Sequence, residues 1–374
     1  MKVVAIVLNN FKNDSRVLKE NRTLMGLGHN VEVVAMHEVD LPTEEVIDGG
    51  VVHRIPLVTR RWGKWKPIQL IKYIEFICKA IRLTKGADVC HCHDLNALPI
   101  GVLTKWLNKK NVKIVYDAHE HETEKNGLTG WMKKAAYLLE SKLIKHADKV
   151  ITVSDSIAKD YVSLYNIETP EVILNCPVIQ SIEKQDLFRS KFPIRNDQTI
   201  FLYQGAMASG RGLEELVEVF KARDHDNAVI VFMGYGPLVD WVQEHAEKES
   251  NIFYLPAVPP ETVLNYTASA DIGISFIQDI CLSYRYCLPN KLFEYMMASL
   301  PVLVSDLPEM KKVVEGYQVG IVVEGNKMRD VEQAIERIMS LDIEQMKRNL
   351  PKVIKKYNWQ VQEQKLINIY RALL

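Results

Sequence analysis

The chain has no run approaching the roughly 18–20 consecutive apolar residues that a helical membrane span requires. Its start, Lys2 leading straight into Val3–Leu8, lacks the long apolar core and small-residue cleavage site of a secretion signal. There is no disulfide framework either. Cys78, Cys90, Cys92, Cys176, Cys281 and Cys287 follow no scaffold spacing, which suits a reducing compartment. Neither sign of charge is in excess, with 47 Lys+Arg against 47 Asp+Glu, which argues against a nucleic-acid partner. Low-complexity tracts and long repeats are missing, and hydrophobic and charged contents of 47% and 25% are those of a folded globular protein. These absences predict a cytoplasmic protein, at most peripheral on the inner face of the cell membrane.

What the chain does contain is alternation. Val3–Leu8, Val31–Ala35, Val89–His91, Lys113–Tyr116 and Lys149–Val153 read as short buried parallel strands. Between them, Ser15–Leu27, Pro67–Thr84, Leu95–Leu107 and Trp131–His146 carry helical periodicity. The pattern dissolves over Ser181–Gln198. It restarts with Thr199–Gln204, Ala228–Met233, Ile252–Leu255, Ile272–Ser275, Val302–Val304 and Gly320–Val323. At 374 residues the chain is too long for one ordinary core. The order predicts an α/β protein of two Rossmann-like domains, each a doubly wound parallel sheet. The first spans residues 1–177, a linker 178–198, and the second 199–359. The final apolar-faced helix, within 360–374, is expected to pack back onto the first domain.

Open α/β sheets bind ligands beyond the carboxyl ends of their strands, so the loops there carry the chemistry. The first such loop holds Asn10, Asn13, Asp14 and Arg16. Asp14 or Ser15 can cap the next helix, and the loop lacks the glycines of a dinucleotide fingerprint. His91-Cys92-His93-Asp94 and Asp117-Ala118-His119-Glu120-His121-Glu122 follow the third and fourth strands. A strand sends His91 and His93 to one face and Cys92 to the other. The second histidine of a zinc-protease pattern is Thr123 here, so no metal site is expected. His119, at a strand end, suits hydrogen bonding to a substrate hydroxyl or proton transfer.

In the second half, Gly205–Gly212 follows a strand and opens a helix. Glycines let a phosphate approach, the helix supplies amides, and Arg211 a fixed charge. Gly234-Tyr235-Gly236-Pro237 repeats the device after the next strand. Pro289–Asp306 reads as a short helix ahead of a buried strand, with Lys291 and Glu294 three apart on one face. A cation and a carboxylate at such a junction suit a molecule carrying both phosphate and sugar hydroxyls.

Taken in order, Asp14/Arg16, Gly28-His29, Asp88–His93, Tyr116–Glu120, Ala147–Ser154, Asn175 with Pro177, Gly205, Arg211-Gly212, Gly234–Pro237, Pro289–Met297 and Tyr357-Asn358-Trp359 resemble the family 4 glycosyltransferases. These are retaining enzymes of the GT-B fold, and the resemblance spans nearly the whole chain. It implies two domains facing across a cleft, with a nucleoside-diphosphate sugar (a UDP-sugar first among them) held mainly by the second. Catalytic roles would fall to His119, Arg211 and Lys291. Donor contacts would come from Gly205, Arg211, Gly234, Gly236, Pro237, Asn290, Lys291 and Glu294. Of these, Glu294 would hold the ribose, and Arg211 and Lys291 would neutralise the diphosphate. Asn10, Asn13, Asp14, Arg16, His93 and Glu120 would line the acceptor side. No metal or other cofactor would be needed.

Two departures stand out. Tyr286 occupies the place of the first of two glutamates that members commonly carry eight positions apart, and Ala206 replaces a basic residue often found after the loop glycine. The Asn290-Lys291 variant resembles a subgroup from surface-polysaccharide pathways. The implied activity is hexosyl transfer to a hydroxyl of a glycan or polyprenyl-linked acceptor. Two other readings stay open: a non-catalytic partner subunit that binds nucleotide-sugar or glycan, and a sugar-nucleotide epimerase of the same fold.

One segment points elsewhere. Across residues 60–85, Arg60, Arg61, Lys64, Lys66, Lys72, Lys79, Arg82 and Lys85 stand against the single acid Glu75, with Trp62, Trp65, Tyr73 and Phe76 interleaved. Basic residues with interfacial aromatics suit docking on an anionic leaflet, and Trp131-Met132-Lys133-Lys134 extends the pattern.

Overall fold

Strands buried on both faces must be apolar along their length, and short β-branched runs meet that demand. The computed structural model describes all residues except Asn13, Lys64, Lys109, Lys110, Lys184, 224–226 and Leu374. It forms two compact units, Met1–Ile173 with Glu363–Leu374, and Leu174–Gln362.

The first unit contains β1 (Lys2–Ile6), β2 (Asn30–Met36), β3 (Glu44–Ile47), β4 (Gly50–Ile55), β5 (Val89–His93), β6 (Lys113–Asp117), β7 (Lys149–Thr152) and β8 (Glu171–Val172). They form one sheet in the order β3-β4-β2-β1-β5-β6-β7-β8. Every pairing is parallel except the β3–β4 hairpin. Its two-residue turn, Asp48-Gly49, has φ of 53° and 90°, the left-handed pair that matches strand twist. The helices are α1 (Ser15–Gly26), α2 (Lys66–Leu83), α3 (Leu98–Leu107), α4 (Gly130–Leu143) and α5 (Asp155–Tyr165).

The second unit carries β9 (Thr199–Ala206), β10 (Ala228–Tyr235), β11 (Ile252–Pro256), β12 (Ile272–Ser275), β13 (Val302–Ser305) and β14 (Gly320–Val323). All are parallel, in the order β11-β10-β9-β12-β13-β14. Its helices are α6 (Leu187–Lys191), α7 (Leu213–Ala222), α8 (Val239–Ala246), α9 (Val263–Thr267), α10 (Leu282–Arg285), α11 (Asn290–Met297), α12 (Pro308–Tyr317), α13 (Met328–Ser340) and α14 (Ile343–Lys356). A core of Phe201, Tyr203, Phe220, Phe232, Ile274 and Leu303 lies beneath the sheet's binding edge. The polar stretch read as a linker lies within this unit and holds α6, whose Phe188 is buried.

In each sheet the first strand sits centrally, and the chain winds one way before crossing back. The switch falls between β1 and β5 in one unit and between β9 and β12 in the other, where ligand loops diverge. The last helix, α15 (Trp359–Arg371), belongs from Glu363 onward with the first unit. Thr23 Oγ1 donates to Glu363 (3.3 Å) and Lys365 Nζ to the Val172 carbonyl (2.7 Å), while Tyr370 Oη meets His91 Nδ1 at 3.0 Å.

At the switch of the second sheet, Gly234 faces Gly205 across the β10–β9 pair with φ of 159°. A Cβ there would lie 1.9 Å from the Gly205 carbonyl oxygen, whereas one on Gly26 would meet nothing within 4 Å. Gly234→Ala should therefore lower stability by about 1–3 kcal/mol, the usual scale of overpacking. Gly26→Ala should leave it unchanged or raise it by up to ~1 kcal/mol. Urea denaturation of the two variants checks the pair.

Candidate active site

The switch loops of the second unit are tied together. The Gln278 amide, beyond β12, donates to the Gly210 carbonyl, beyond β9, at 3.0 Å. Gly212, with φ of 69°, allows this closure, because a Cβ there would fall 2.1 Å from the Phe276 ring. Arg211, between the two loop glycines, lays its guanidinium over Tyr284, 4.5 Å from the ring centre. Lys291, in the first turn of α11, is 9% exposed and places Nζ 3.7 Å from the centre of the Tyr203 ring. Among the described residues neither cation forms an ion pair. Burial depresses the Lys291 pKa well below its ordinary value; Arg211 lowers it further and Glu294 opposes the fall. Arg211, Lys291 and Glu294 thus share one electrostatic neighbourhood.

The rest of the predicted donor side gathers on the same edge. Gly205 and Gly234 are the penultimate residues of β9 and β10, and Gly236 packs so close that a Cβ would lie 2.4 Å from the Met207 carbonyl oxygen. Pro237 and Asn290 are exposed. Pro289 caps α11 without a side-chain hydrogen bond, leaving its first-turn amides available to an anion. Half-buried Glu294 receives a short hydrogen bond from Gln204 Nε2. Sequence reasoning missed Gln204, Tyr203 and Tyr284; the position of Gln204, directly before the loop glycine at a strand end, was the available signal.

In the first unit the predicted residues divide. Asp14 caps α1 by accepting from the Val17 amide and also receives Asn9 Nδ2 at 2.7 Å. Asn10 donates to Glu38. Glu120, near the surface, pairs with Lys125 at 3.2 Å. Asn13 lies outside the described residues. Arg16 turns inward: its Nε and one terminal nitrogen each donate to Asp117 at 2.8 Å, and the other donates to the Ile173 carbonyl at 2.8 Å. His93 Nδ1 lies 3.1 Å from His119 Nε2, and both sit beside Asp117 Oδ2, at 3.4 and 3.3 Å.

Glu20, His91, His93 and Asp117 each bring one donor atom within 4.8 Å of the others, a convergence the strand alternation alone did not foresee. Glu20 arrives from α1, four residues after Arg16, and Asp117 from β6. Asp117 already gives both oxygens to Arg16, which supplies the positive charge at this point. Burial and the neighbouring Asp117 push the Glu20 carboxyl up to about 8, so it is neutral at pH 7. Burial also keeps His91 and His93 uncharged. Arg16 faces both Asp117 and Glu20, and His119 faces both Asp94 and Asp117.

His119 is the titrating member nearest solvent, with 22% of its side chain exposed. Burial disfavours its cation, but the carboxylates of Asp94 and Asp117 outweigh it and push its pKa up to about 10. Raised in this way, it favours the protonated form, which donates hydrogen bonds at neutral pH. A histidine raised in the folded state contributes stability that is complete below pH ~6.5 and lost as pH rises through ~10. An NMR titration should find His119 as imidazolium from pH 6 to about 9. The stability gap between the protein and His119→Gln should be wide at pH 6 and close toward pH 10.

Residues 17–176 match the family described as Glycosyltransferase Family 4, and residues 184–358 match Glycosyl transferases group 1. Glycogen synthase from Mycobacterium tuberculosis is 26% identical over 171 residues, 43% of this chain and 39% of that protein. The chain thus spans well under two thirds of this curated relative. Sucrose-phosphate synthase from Thermosynechococcus elongatus superposes with a TM-score of 0.80 at 15% identity, covering 100% of this chain and 99% of that one. Anabaena HepE, solved with UDP and glucose, gives 0.75 at 12% identity with both chains covered at 100%. WaaG, a glycosyltransferase involved in lipopolysaccharide biosynthesis, gives 0.67 at 15% identity, covering 98% of this chain and 99% of that one. Two glycosyltransferase family models thus match in tandem over two doubly wound sheets, and the chain has the GT-B fold.

Proposed function

We propose that this protein is a retaining hexosyltransferase. It takes a sugar from a nucleoside diphosphate, UDP first among the candidates, to a hydroxyl of a glycan or polyprenyl-linked acceptor in cell-surface polysaccharide synthesis. The observation that carries the donor is the pair Arg211 and Lys291, two cations over tyrosine faces without a carboxylate partner among the described residues, beside Glu294 and the uncapped start of α11. A diphosphate supplies the missing charge, and the cations stabilise it most as it leaves and its charge grows. Glu294 accepts ribose hydroxyls. The UDP-and-glucose complex of HepE supports a UDP-sugar, and the family matches support transfer. Retention and the surface-polysaccharide setting rest on the resemblance in Pro289–Met297.

Arg211→Ala and Lys291→Ala should each lower kcat by about 10²–10³, the scale of a lost charge-stabilising donor. The assay is transfer or donor hydrolysis, after thermal-shift screening against UDP-, GDP- and dTDP-sugars. Tight donor binding with no turnover would instead indicate a partner subunit, and isomerisation of the donor sugar without acceptor an epimerase.

A diphosphate would raise the depressed pKa of Lys291, so UDP binding should take up protons at any pH where the free lysine is partly neutral, and should weaken as pH rises. Calorimetry of UDP binding in buffers of different ionisation enthalpy measures the uptake directly.

The first unit's surface supports peripheral contact with an anionic membrane, although no described helix is long and apolar enough to cross one. Trp62, Trp65 and Trp131 are 51%, 79% and 70% exposed, and Lys66 Nζ lies 5.9 Å from the Trp131 ring centre, which joins the starts of α2 and α4. Leu70, Ile71 and Ile74 continue the apolar strip along α2. Part of the expected pattern is otherwise engaged. Phe76 is in the core, Tyr73 donates to the Asn96 carbonyl, and Lys72 and Lys79 bond backbone carbonyls. Lys64 lies outside the described residues. Cosedimentation with phosphatidylglycerol vesicles should fall about tenfold in a Trp65→Ala/Trp131→Ala variant, with little binding to neutral vesicles.

A further inference from the structure

We infer that Gln204 is a positioning residue that sets the Glu294 carboxylate for the diol of a ribonucleotide; the inference rests on the nucleotide-sugar reading of that site. Gln204 is 3% exposed, at the carboxyl end of β9. Its backbone is fixed first: the amide donates to Tyr295 Oη at 2.9 Å, and that hydroxyl donates to the Ile274 carbonyl at 3.0 Å. Its side chain is then held at both ends. Oε1 lies 2.8 Å from Thr267 Oγ1, and Nε2 bonds Glu294 Oε2.

The amide can stand only one way round. A carboxylate only accepts hydrogen bonds, so the NH2 must face Glu294; the carbonyl end then faces fully buried Thr267, whose hydroxyl proton is shared between that oxygen and the Val263 carbonyl, each at 2.8 Å. Thr267 and Glu294 thus hold the Gln204 amide from its two ends, with the donor end on the carboxylate. No other residue of this length offers an acceptor behind and a donor ahead. A glutamate would set carboxylate against carboxylate, and a leucine would leave Glu294 Oε2 without this donor. With one oxygen anchored from β9, the carboxylate plane is fixed relative to α11. A fixed plane distinguishes a ribose from a sugar lacking its hydroxyls.

Calorimetric titration of the full chain tests this, using whichever of UDP, GDP and ADP binds most tightly, together with the 2′,3′-dideoxy form of the same nucleotide. The wild type should prefer the hydroxyl-bearing form by at least about tenfold. Gln204→Leu should weaken that form about tenfold, the scale of a hydrogen bond to a charged group, and leave the dideoxy form unchanged. In a Glu294→Ala background, Gln204→Leu should cost nothing further. Gln204→Glu, equal in size, should show the same hydroxyl-selective loss and guards against a misfolded leucine variant. Equal weakening of both nucleotides, or losses that add in the double variant, would mean a structural role and overturn the inference while leaving the nucleotide site intact. A wild type that binds none of the nucleotides, or a Glu294→Ala variant that binds like it, would remove the parent reading and this inference together.

Discussion

Positive charge held without a counter-charge is the constraint on which the functional edge of this protein depends. A buried cation carries a desolvation cost of several kcal/mol unless something compensates it. The faces of Tyr203 and Tyr284 return ~0.5–2 kcal/mol each. That is enough to hold Lys291 and Arg211 in place but too little to satisfy them. The surrounding structure keeps the deficit in place: glycine loops closed by the Gln278–Gly210 bond, a helix start with no side-chain cap, and a glutamate turned by Gln204. Under the proposed function, a diphosphate supplies the charge that the site lacks.

The first unit solves the opposite problem with the same residue types. Arg16 stands in a loop-to-helix position comparable to that of Arg211, yet its guanidinium is fully engaged by Asp117 and the Ile173 carbonyl. Its charge fixes the acid that in turn keeps His119 protonated. Arg16 holds Asp117 through two hydrogen bonds, with His93 packed beside them. The two arginines differ only in whether a carboxylate from a neighbouring strand reaches them, and residue type alone cannot report that.

This difference marks how far the sequence could be read. The parallel strands were legible because burial on both faces demands apolar runs, and observed boundaries depart by a residue or two at most sites. The β3–β4 hairpin was passed over although Asp48-Gly49 is a strong turn signal, because its strands alternate weakly and β3 is half exposed. The basic aromatic segment was legible as helical, but only the three-dimensional turn sends Phe76 inward and leaves Trp65 outside. Lys291 and Glu294 announced themselves by spacing. Glu20, Gln204 and Tyr370 did not, since their partners lie 63 to 279 positions away in sequence.

The switch loops carry the division of labour further. Apart from the edge strands β3 and β8, the two sheets share one strand order, so both offer a crevice at the same topological point. Only the second lines it with glycines whose Cβ positions are already occupied, by Phe276 at Gly212 and by the Met207 carbonyl at Gly236. Backbone can approach a ligand closely there, and amides become binding groups. The first loop instead presents Asn9, Asn10 and Asp14, whose side chains bond one another, Glu38 and the backbone. A loop that binds through backbone suits an invariant group such as a phosphate. One that binds through side chains suits a ligand read group by group. Glycine is thus obligatory at the binding edge of the second sheet and not in the first loop of the first.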